Sequence, residues 1–229
     1  MARRSCPVPT DHRPPWPARV RATAVAPVAR YLSRQAAHPG GAFGHLLGRI
    51  WLTETAAVND VAVELLAPAQ GERVCEIGFG PGRTLALLAA AGAEVIGVEV
   101  SAAMVAIAAR RNAEPIAAGS MTLHRGDGTT LPLPEDSLDA VLSVHNFYFW
   151  PEPPAALADI ARALRPGGRL VLTSLADDQP LAARFDPAIY RVPATADATA
   201  WLHAAGFVDV HVERKADIPT AVWFSATAT

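Results

Sequence analysis

The chain has 229 residues, enough for one ordinary α/β domain with an appendage but cramped for a second full domain. Half of it is apolar (51%) and 18% is charged, so it can bury a large core at a formal charge of only −2. Residues 1–34 carry Arg3, Arg4, Arg13, Arg19, Arg21, Arg30 and Arg34 against Asp11 alone, which leaves an acidic body that argues against a domain tracking a nucleic-acid backbone.

Two cysteines, Cys6 in the basic leader and Cys75 in an apolar stretch, make no disulfide framework and fit a reducing compartment. The stretch Ala22–Ala29 is short, broken by Pro27 and followed by Arg30, a poor signal sequence. No run approaches the roughly 18 apolar residues of a membrane span, so the expectation is a cytoplasmic chain with no span. The sequence carries no signal of oligomeric state.

In chain order, residues 1–37 mix prolines and arginines without a sustained period and read as a solvated, disordered tail, with one helical turn near Val28–Ala36. The charge of that tail would also suit contact with nucleic acid or anionic lipid. His38-Pro39-Gly40-Gly41 is loop, and a single domain is expected over 38–229. Its first part, 38–68, reads as a helical cap with two helices between Phe43 and Leu66. The second helix carries the stripe Val58, Val61, Ala62, Leu65 and Leu66, and Pro68 ends it.

A regular alternation follows. Strands are expected at Arg73–Ile77, Glu94–Val98, Met121–His124, Leu138–Val144 and Arg169–Ser174. Helices are expected at Thr84–Ala91, Ala102–Arg111 (with Ser101 as N-cap), Ala155–Leu164 and Ala196–Ala205. Val208–Glu213 and Ala221–Ala226 close the chain as strands with no helix between them. The pattern implies an α/β fold: a doubly wound, mostly parallel, seven-stranded sheet with an antiparallel hairpin at its C-terminal edge.

Ligands of such sheets bind beyond the carboxyl ends of the strands, where strand order reverses. After the first strand comes Val74-Cys75-Glu76-Ile77-Gly78-Phe79-Gly80-Pro81-Gly82-Arg83-Thr84, whose alternating glycines permit a tight turn and close approach to a ligand. Alone, this is an ordinary strand-to-helix turn. Glu99, however, ends the second strand and Gly126-Asp127-Gly128 follows the third, so three acids stand at three successive strand ends. A carboxylate at Glu99 suits the hydroxyls of a ribose. One at Asp127 suits an exocyclic amine, although Asp between glycines is also a common turn residue. A dinucleotide fingerprint has its third glycine three residues after the second, whereas Gly82 follows Gly80 by two. Glu76 would repel a pyrophosphate and would attract an ammonium group.

These segments together resemble the class I S-adenosylmethionine-dependent methyltransferases. Val74–Leu85 is similar to the family's first motif and Val95–Met104 to its second. Gly126-Asp127 with Leu131–Pro134 and Ser137–Val141 is similar to the third and fourth. Ile160–Leu172, containing Arg165-Pro166-Gly167-Gly168, resembles the helix-turn-strand after the active site, and Trp201–Val210 the late helix and strand. The likeness covers about residues 38–215 and is nearest to small bacterial enzymes of the ubiquinone/menaquinone, type 11-like, kind. It implies that S-adenosylmethionine, rather than NAD, is the cofactor. Glu76, Gly78, Gly80 and Gly82 would surround its methionine part. Glu99 would hold the ribose, Met104 would pack on the adenine, and Asp127 with Gly128 would meet the amine. Many relatives have Asp where this chain has Glu99, and the longer side chain still reaches. Asn59 resembles an asparagine that lies under the cofactor in the family, or is a satisfied polar residue on its helix.

Methyl transfer from a sulfonium asks a protein chiefly for alignment and exclusion of water. The candidate stretch is Val144-His145-Asn146-Phe147-Tyr148-Phe149-Trp150. His145 as a general base would deprotonate an acceptor; the plainer alternative is a hydrogen bond to cofactor or backbone, and relatives commonly have Asn there. Tyr148 and Trp150 would form an acceptor wall or a cation–π surface, or simply pack on the next helix. No His, Cys or acid has metal-ligand spacing, so no metal is expected. No cysteine near the fourth strand suits cytosine C5 methylation, and His-Asn-Phe-Tyr is not the Asn/Asp-Pro-Pro-aromatic turn of adenine amino-methylation. The acceptor expected is a small, rather apolar molecule. A nicotinamide oxidoreductase and a non-catalytic module binding S-adenosylmethionine stand as alternatives.

Overall fold

The computed structural model describes residues 27–39 and 54–229. Two helices, α1 (Pro27–Ala37) and α2 (Ala56–Leu66), precede the sheet. Five parallel strands then alternate with helices: β1 (Arg73–Ile77), α3 (Arg83–Ala90), β2 (Glu94–Glu99), α4 (Ala102–Arg111), α5 (Ala113–Ala117), β3 (Met121–Arg125), β4 (Leu138–Ser143), α6 (Pro153–Ala163) and β5 (Leu164–Leu175). α7 (Thr195–Ala204), β6 (Phe207–Lys215) and β7 (Ile218–Ala228) complete the chain.

The strand order is β3-β2-β1-β4-β5-β7-β6, with β7 antiparallel to both β5 and β6. This is the expected seven-stranded, mostly parallel sheet with an antiparallel edge. Strand order reverses between β1 and β4, which are direct neighbours (Cys75↔Val141).

Period-two alternation along the strands divides the core into two layers. Val74, Val95, Ala140, Leu142 and Val171 face α2, α3 and α4 through Ala62, Leu66, Leu85, Leu88 and Ala108. Cys75, Ile77, Ile96, Val141, Leu170 and Leu172 face α6 and α7 through Leu157, Ile160, Ala198 and Leu202. Because both faces are covered, the inner strands read as apolar runs. Cys75 is fully buried and its thiol is pushed up to about 12 by burial, so it is inert packing. Trp223 of β7, also fully buried, donates its indole N–H to the Val58 carbonyl of α2 at 3.2 Å and fixes that helix to the sheet.

Three differences from the sequence expectation matter. The segment 27–37, read as tail with a single turn, is a three-turn helix; Ala29 and Ser33 on one face are buried, and tertiary contact rather than propensity stabilises it. The Arg165-Pro166-Gly167-Gly168 turn lies within β5, where a register shift between Leu138 and Ala140 of β4 accommodates the extra residues. A single 3₁₀ turn, Phe147–Phe149, follows β4. The first of the two expected cap helices, and residues 1–26 of the tail, lie outside the described residues.

Candidate functional site

A cavity of about 1050 Å³ opens over the carboxyl ends of β1, β2 and β4, at the reversal of strand order. It is large for a small-molecule site, for which roughly 300–1,000 Å³ is usual. Glu76, the fourth residue of β1, lies on its wall and is 2% exposed. Its Oε2 has no hydrogen-bond partner. Burial pushes this carboxyl up to about 8; a Thr84 hydrogen bond opposes the shift and the nearby Glu99 adds to it.

The glycine turn divides into cavity-wall and packing positions. Gly78 has φ +73°, donates its N–H to the Val98 carbonyl at 2.7 Å, and lies so close under Asn146 that a Cβ would meet Nδ2 at 2.5 Å. Gly80, also on the cavity wall, has φ +52° and nothing within 4 Å of where a Cβ would be. Gly82 is outside the cavity lining. It precedes α3 with φ +76°, and a Cβ there would meet Ala108 at 2.7 Å and Asn112 at 2.8 Å. Gly128 likewise stands off the wall, and Ile77 Cγ2 occupies the space a Cβ would need. At these two, expected among the cofactor-binding residues, a left-handed backbone (φ +76° and +75°) and close packing together require glycine.

Glu99 closes β2 with both oxygens engaged: Gly80 N–H donates to Oε2 at 3.1 Å and Ser101 N–H to Oε1 at 2.8 Å. Burial still raises its carboxyl above the usual range against those two hydrogen bonds. The Ser101 hydroxyl caps α4 by accepting from the Met104 N–H at 3.2 Å, and donates to the Pro39 carbonyl at 2.5 Å. That bond fastens the end of the α1 segment to the cavity rim. Met104, fully buried, lines the cavity as expected. Asp127 is at the exposed rim. Thr129 donates to its Oδ1 from the hydroxyl at 2.7 Å and the backbone at 3.0 Å, which lowers its carboxyl below the usual range.

On the opposite side, His145 holds a left-handed backbone (φ +55°), uncommon for a side chain of its size. Its Nδ1 is 3.5 Å from the Tyr148 hydroxyl. Burial lowers His145 to about 4, so the ring is neutral at physiological pH, and burial raises Tyr148 well above its ordinary value. Tyr148 lines the cavity, but Trp150 does not. Trp150 is 3% exposed and sits edge-on to Phe147, ring centres 5.2 Å apart, in the core beneath. The cavity wall is instead completed by Leu32 and Ala36 of α1 and by Phe185, Tyr190 and Arg191 of the β5–α7 connection, with Asn59 of α2 also on it. The sequence reading missed these residues because α1 reads as part of a solvated tail and the β5–α7 connection has no helical or strand periodicity. Two aromatics in a proline-containing stretch are the only local signal.

The site thus has a carboxylate-rich end and an aromatic end on a doubly wound sheet. Comparison with known proteins agrees. Residues 75–172 match the family model described as Methyltransferase domain. An uncharacterized methyltransferase of Bacillus subtilis, YdaC, is 31% identical over 172 residues, covering 74% of this chain and 90% of that protein. A demethylmenaquinone methyltransferase of Clavibacter sepedonicus is 36% identical over 107 residues, 47% of this chain and 42% of the relative, so the chain spans less than half of its length. The crystal structure of an S-adenosylmethionine-dependent methyltransferase from Aquifex aeolicus superposes with a TM-score of 0.61 at 17% identity, covering 88% of this chain and 97% of that one, a likeness of fold. The chain belongs to the S-adenosylmethionine-dependent methyltransferase family.

The residues present fit that cofactor. A buried carboxyl with a free oxygen suits the ammonium of its methionine part, which favours its ionisation, whereas a pyrophosphate at the same place would oppose it. The oxidoreductase alternative is therefore not favoured. Among the described residues no helix is long and apolar enough to cross a membrane.

Proposed function

We propose that this chain transfers a methyl group from S-adenosylmethionine to a small, rather apolar acceptor by direct displacement, with His145 and Tyr148 at the acceptor. The observation that carries the reading is the unpartnered Oε2 of Glu76, buried on the wall of the cavity beside a satisfied Glu99. When bound, S-adenosylmethionine supplies a methyl group on a sulfonium, a leaving group that needs no further activation. Glu76 would offer its carboxylate to the ammonium, Gly80 gives the backbone room for close approach, and Glu99, held in place by Gly80 and Ser101, would accept from the ribose hydroxyls with its remaining lone pairs. Met104 packs on the adenine and Asp127 meets its amine. Tyr148 and Phe149 exclude water from the acceptor. His145, uncharged and within reach of the Tyr148 hydroxyl, holds the acceptor or takes its proton as the new bond to carbon forms.

Calorimetric titration with S-adenosylhomocysteine, with NADH in parallel and Glu99→Ala as control, tests this. Micromolar binding of S-adenosylhomocysteine, weakened in the variant and absent for NADH, is expected. Folded protein that ignores S-adenosylhomocysteine would overturn the reading.

A further inference from the structure

Helical positions three and four apart share a face, and on α1 they divide into an inner and an outer side. On the inner side Ala29 and Ser33 are buried, and the Ser33 hydroxyl accepts the Asp186 backbone N–H at 2.8 Å. Leu32 and Ala36 line the cavity. The outer side carries Val28, 67% exposed, Tyr31, 52% exposed, and the exposed Arg30 and Arg34. The other exposed large apolar side chains among the described residues, Val208 and Val212, share β6 with Asp209 and Glu213, so that patch is of mixed charge.

On α1 the charge is all of one sign, for residues 27–39 contain no Asp or Glu. Arg30 Nε lies 3.7 Å from Asp186 Oδ2, but the Arg30 side chain is 61% exposed and Asp186 is buried, so the carboxylate sits beneath and the guanidinium faces out. Arg184, exposed on the turn that docks onto α1, adds a third cation, its guanidinium 5.0 Å from the Phe185 ring centre. Ahead of α1 the sequence supplies Arg3, Arg4, Arg13, Arg19 and Arg21 against Asp11 alone, while the chain beyond residue 34 is net acidic. A helix face that sets arginines beside an aromatic and an aliphatic side chain suits the headgroup layer of an anionic bilayer. Its guanidinium groups meet phosphates there, and its apolar groups reach the acyl boundary. A nucleic-acid backbone would also attract the arginines but would gain nothing from Val28.

We propose that the outer face of α1, made by Val28, Arg30, Tyr31 and Arg34, docks this chain on an anionic phospholipid surface, with Arg184 at the edge of the footprint. A helix with its side chains is about 10 Å across, and the inner side of α1 lines the cavity, so docking brings the cavity wall within one helix of the lipid. Two apolar side chains and a few arginines give reversible docking and no insertion. The face lies outside residues 75–172, the part that matches the family model, and docking is independent of the methyl-transfer chemistry.

The test sediments the full chain with vesicles of phosphatidylglycerol and phosphatidylcholine in equal parts, and in parallel with phosphatidylcholine alone. Preferential binding to the anionic vesicles, weakened by added salt, is expected. Arg34→Gln should weaken that binding about fivefold and Val28→Ser about threefold. Arg111→Gln, an exposed arginine at the end of α4, should leave it unchanged. Melting curves check that each variant folds, and Arg184→Gln replaces either α1 variant that melts early. Equal binding to both kinds of vesicle, no vesicle binding, or no loss in Val28→Ser would overturn the docking face. Equal losses in Arg34→Gln and Arg111→Gln would also overturn it, by tracing the binding to net charge alone. A short DNA duplex bound more tightly than the anionic vesicles at the same salt would overturn the lipid partner in favour of nucleic acid.

Discussion

Glu76 and Glu99 occupy neighbouring parallel strands, with Glu76 paired to Gly97 two residues before Glu99, yet their hydrogen bonding is opposite. Glu99 accepts two backbone N–H groups, while Glu76 keeps a buried oxygen unpaired. An unsatisfied buried carboxyl is costly in the free protein and becomes useful when a cation arrives. The pair divides the site into a rigid, preformed position and one held in reserve.

With Glu76 as the proposed partner of the cofactor's ammonium, that reserve predicts pH-dependent binding. Glu76 is raised to about 8, so near neutral pH it is protonated in the free protein and must ionise to meet an ammonium. Affinity for S-adenosylhomocysteine should rise with pH, by up to roughly tenfold per unit between pH 6 and 8, with a proton released on binding. Titrations in phosphate and in Tris, whose ionisation enthalpies differ, would measure that proton. Glu76→Gln should cost at least about tenfold in affinity, as for a charge-assisted hydrogen bond.

The same residue sets a stability slope. A carboxyl protonated when folded but ionised when unfolded releases its proton on unfolding between its ordinary 4.5 and about 8. The unliganded chain should therefore lose stability as pH rises through that window. Glu76→Gln should flatten the slope and raise the melting temperature at pH 8 by a few degrees. Thermal melts of both proteins at pH 5 and pH 8 would check this.

His145 slopes the other way. Its folded value, about 4, lies below the ordinary 6.5, so the unfolded chain binds the extra proton. Its contribution is complete above pH 6.5 and is lost as pH falls toward 4. His145→Asn should reduce the acid sensitivity of the melting temperature, and His145→Gly should also relieve the left-handed backbone by about 1 kcal/mol. In an NMR titration, the His145 ring protons should not shift between pH 8 and 5.5.

Alanine replacements should separate the glycines. Gly82→Ala and Gly128→Ala force a Cβ against Ala108 and Ile77 and should destabilise by about 1–3 kcal/mol beyond the backbone strain. Gly80→Ala meets open space, so it should cost about 1–2 kcal/mol of strain and affect cofactor affinity more than the other two. Denaturant melts beside S-adenosylhomocysteine titrations would rank all three.

The alternation of apolar strands and helices, the acids at three strand ends and the glycine turn were legible from the chain itself, because each is local. Period-two burial, helix periodicity and turn chemistry act over a few residues, whereas the strand order β3-β2-β1-β4-β5-β7-β6 was decided by the tertiary structure. Sequence also singled out Glu76, Gly78, Gly80, Glu99, Met104 and Asp127, which the structure gathers on one cavity wall, since they sit at fixed offsets from strand termini. It could not tell that Gly82 and Gly128 serve packing, because their steric partners Ala108 and Ile77 are remote in the chain. Nor could it separate Tyr148, which faces the cavity, from Trp150, which faces the core, two positions along one tight turn. The cavity wall made by α1 and the β5–α7 connection was decided wholly by tertiary structure. Ser33 and Asp186 are 153 positions apart, α1 is too short to be stable alone, and the aromatic turn has no period. Those segments take their shape only by burying each other's faces, a condition that no local pattern records.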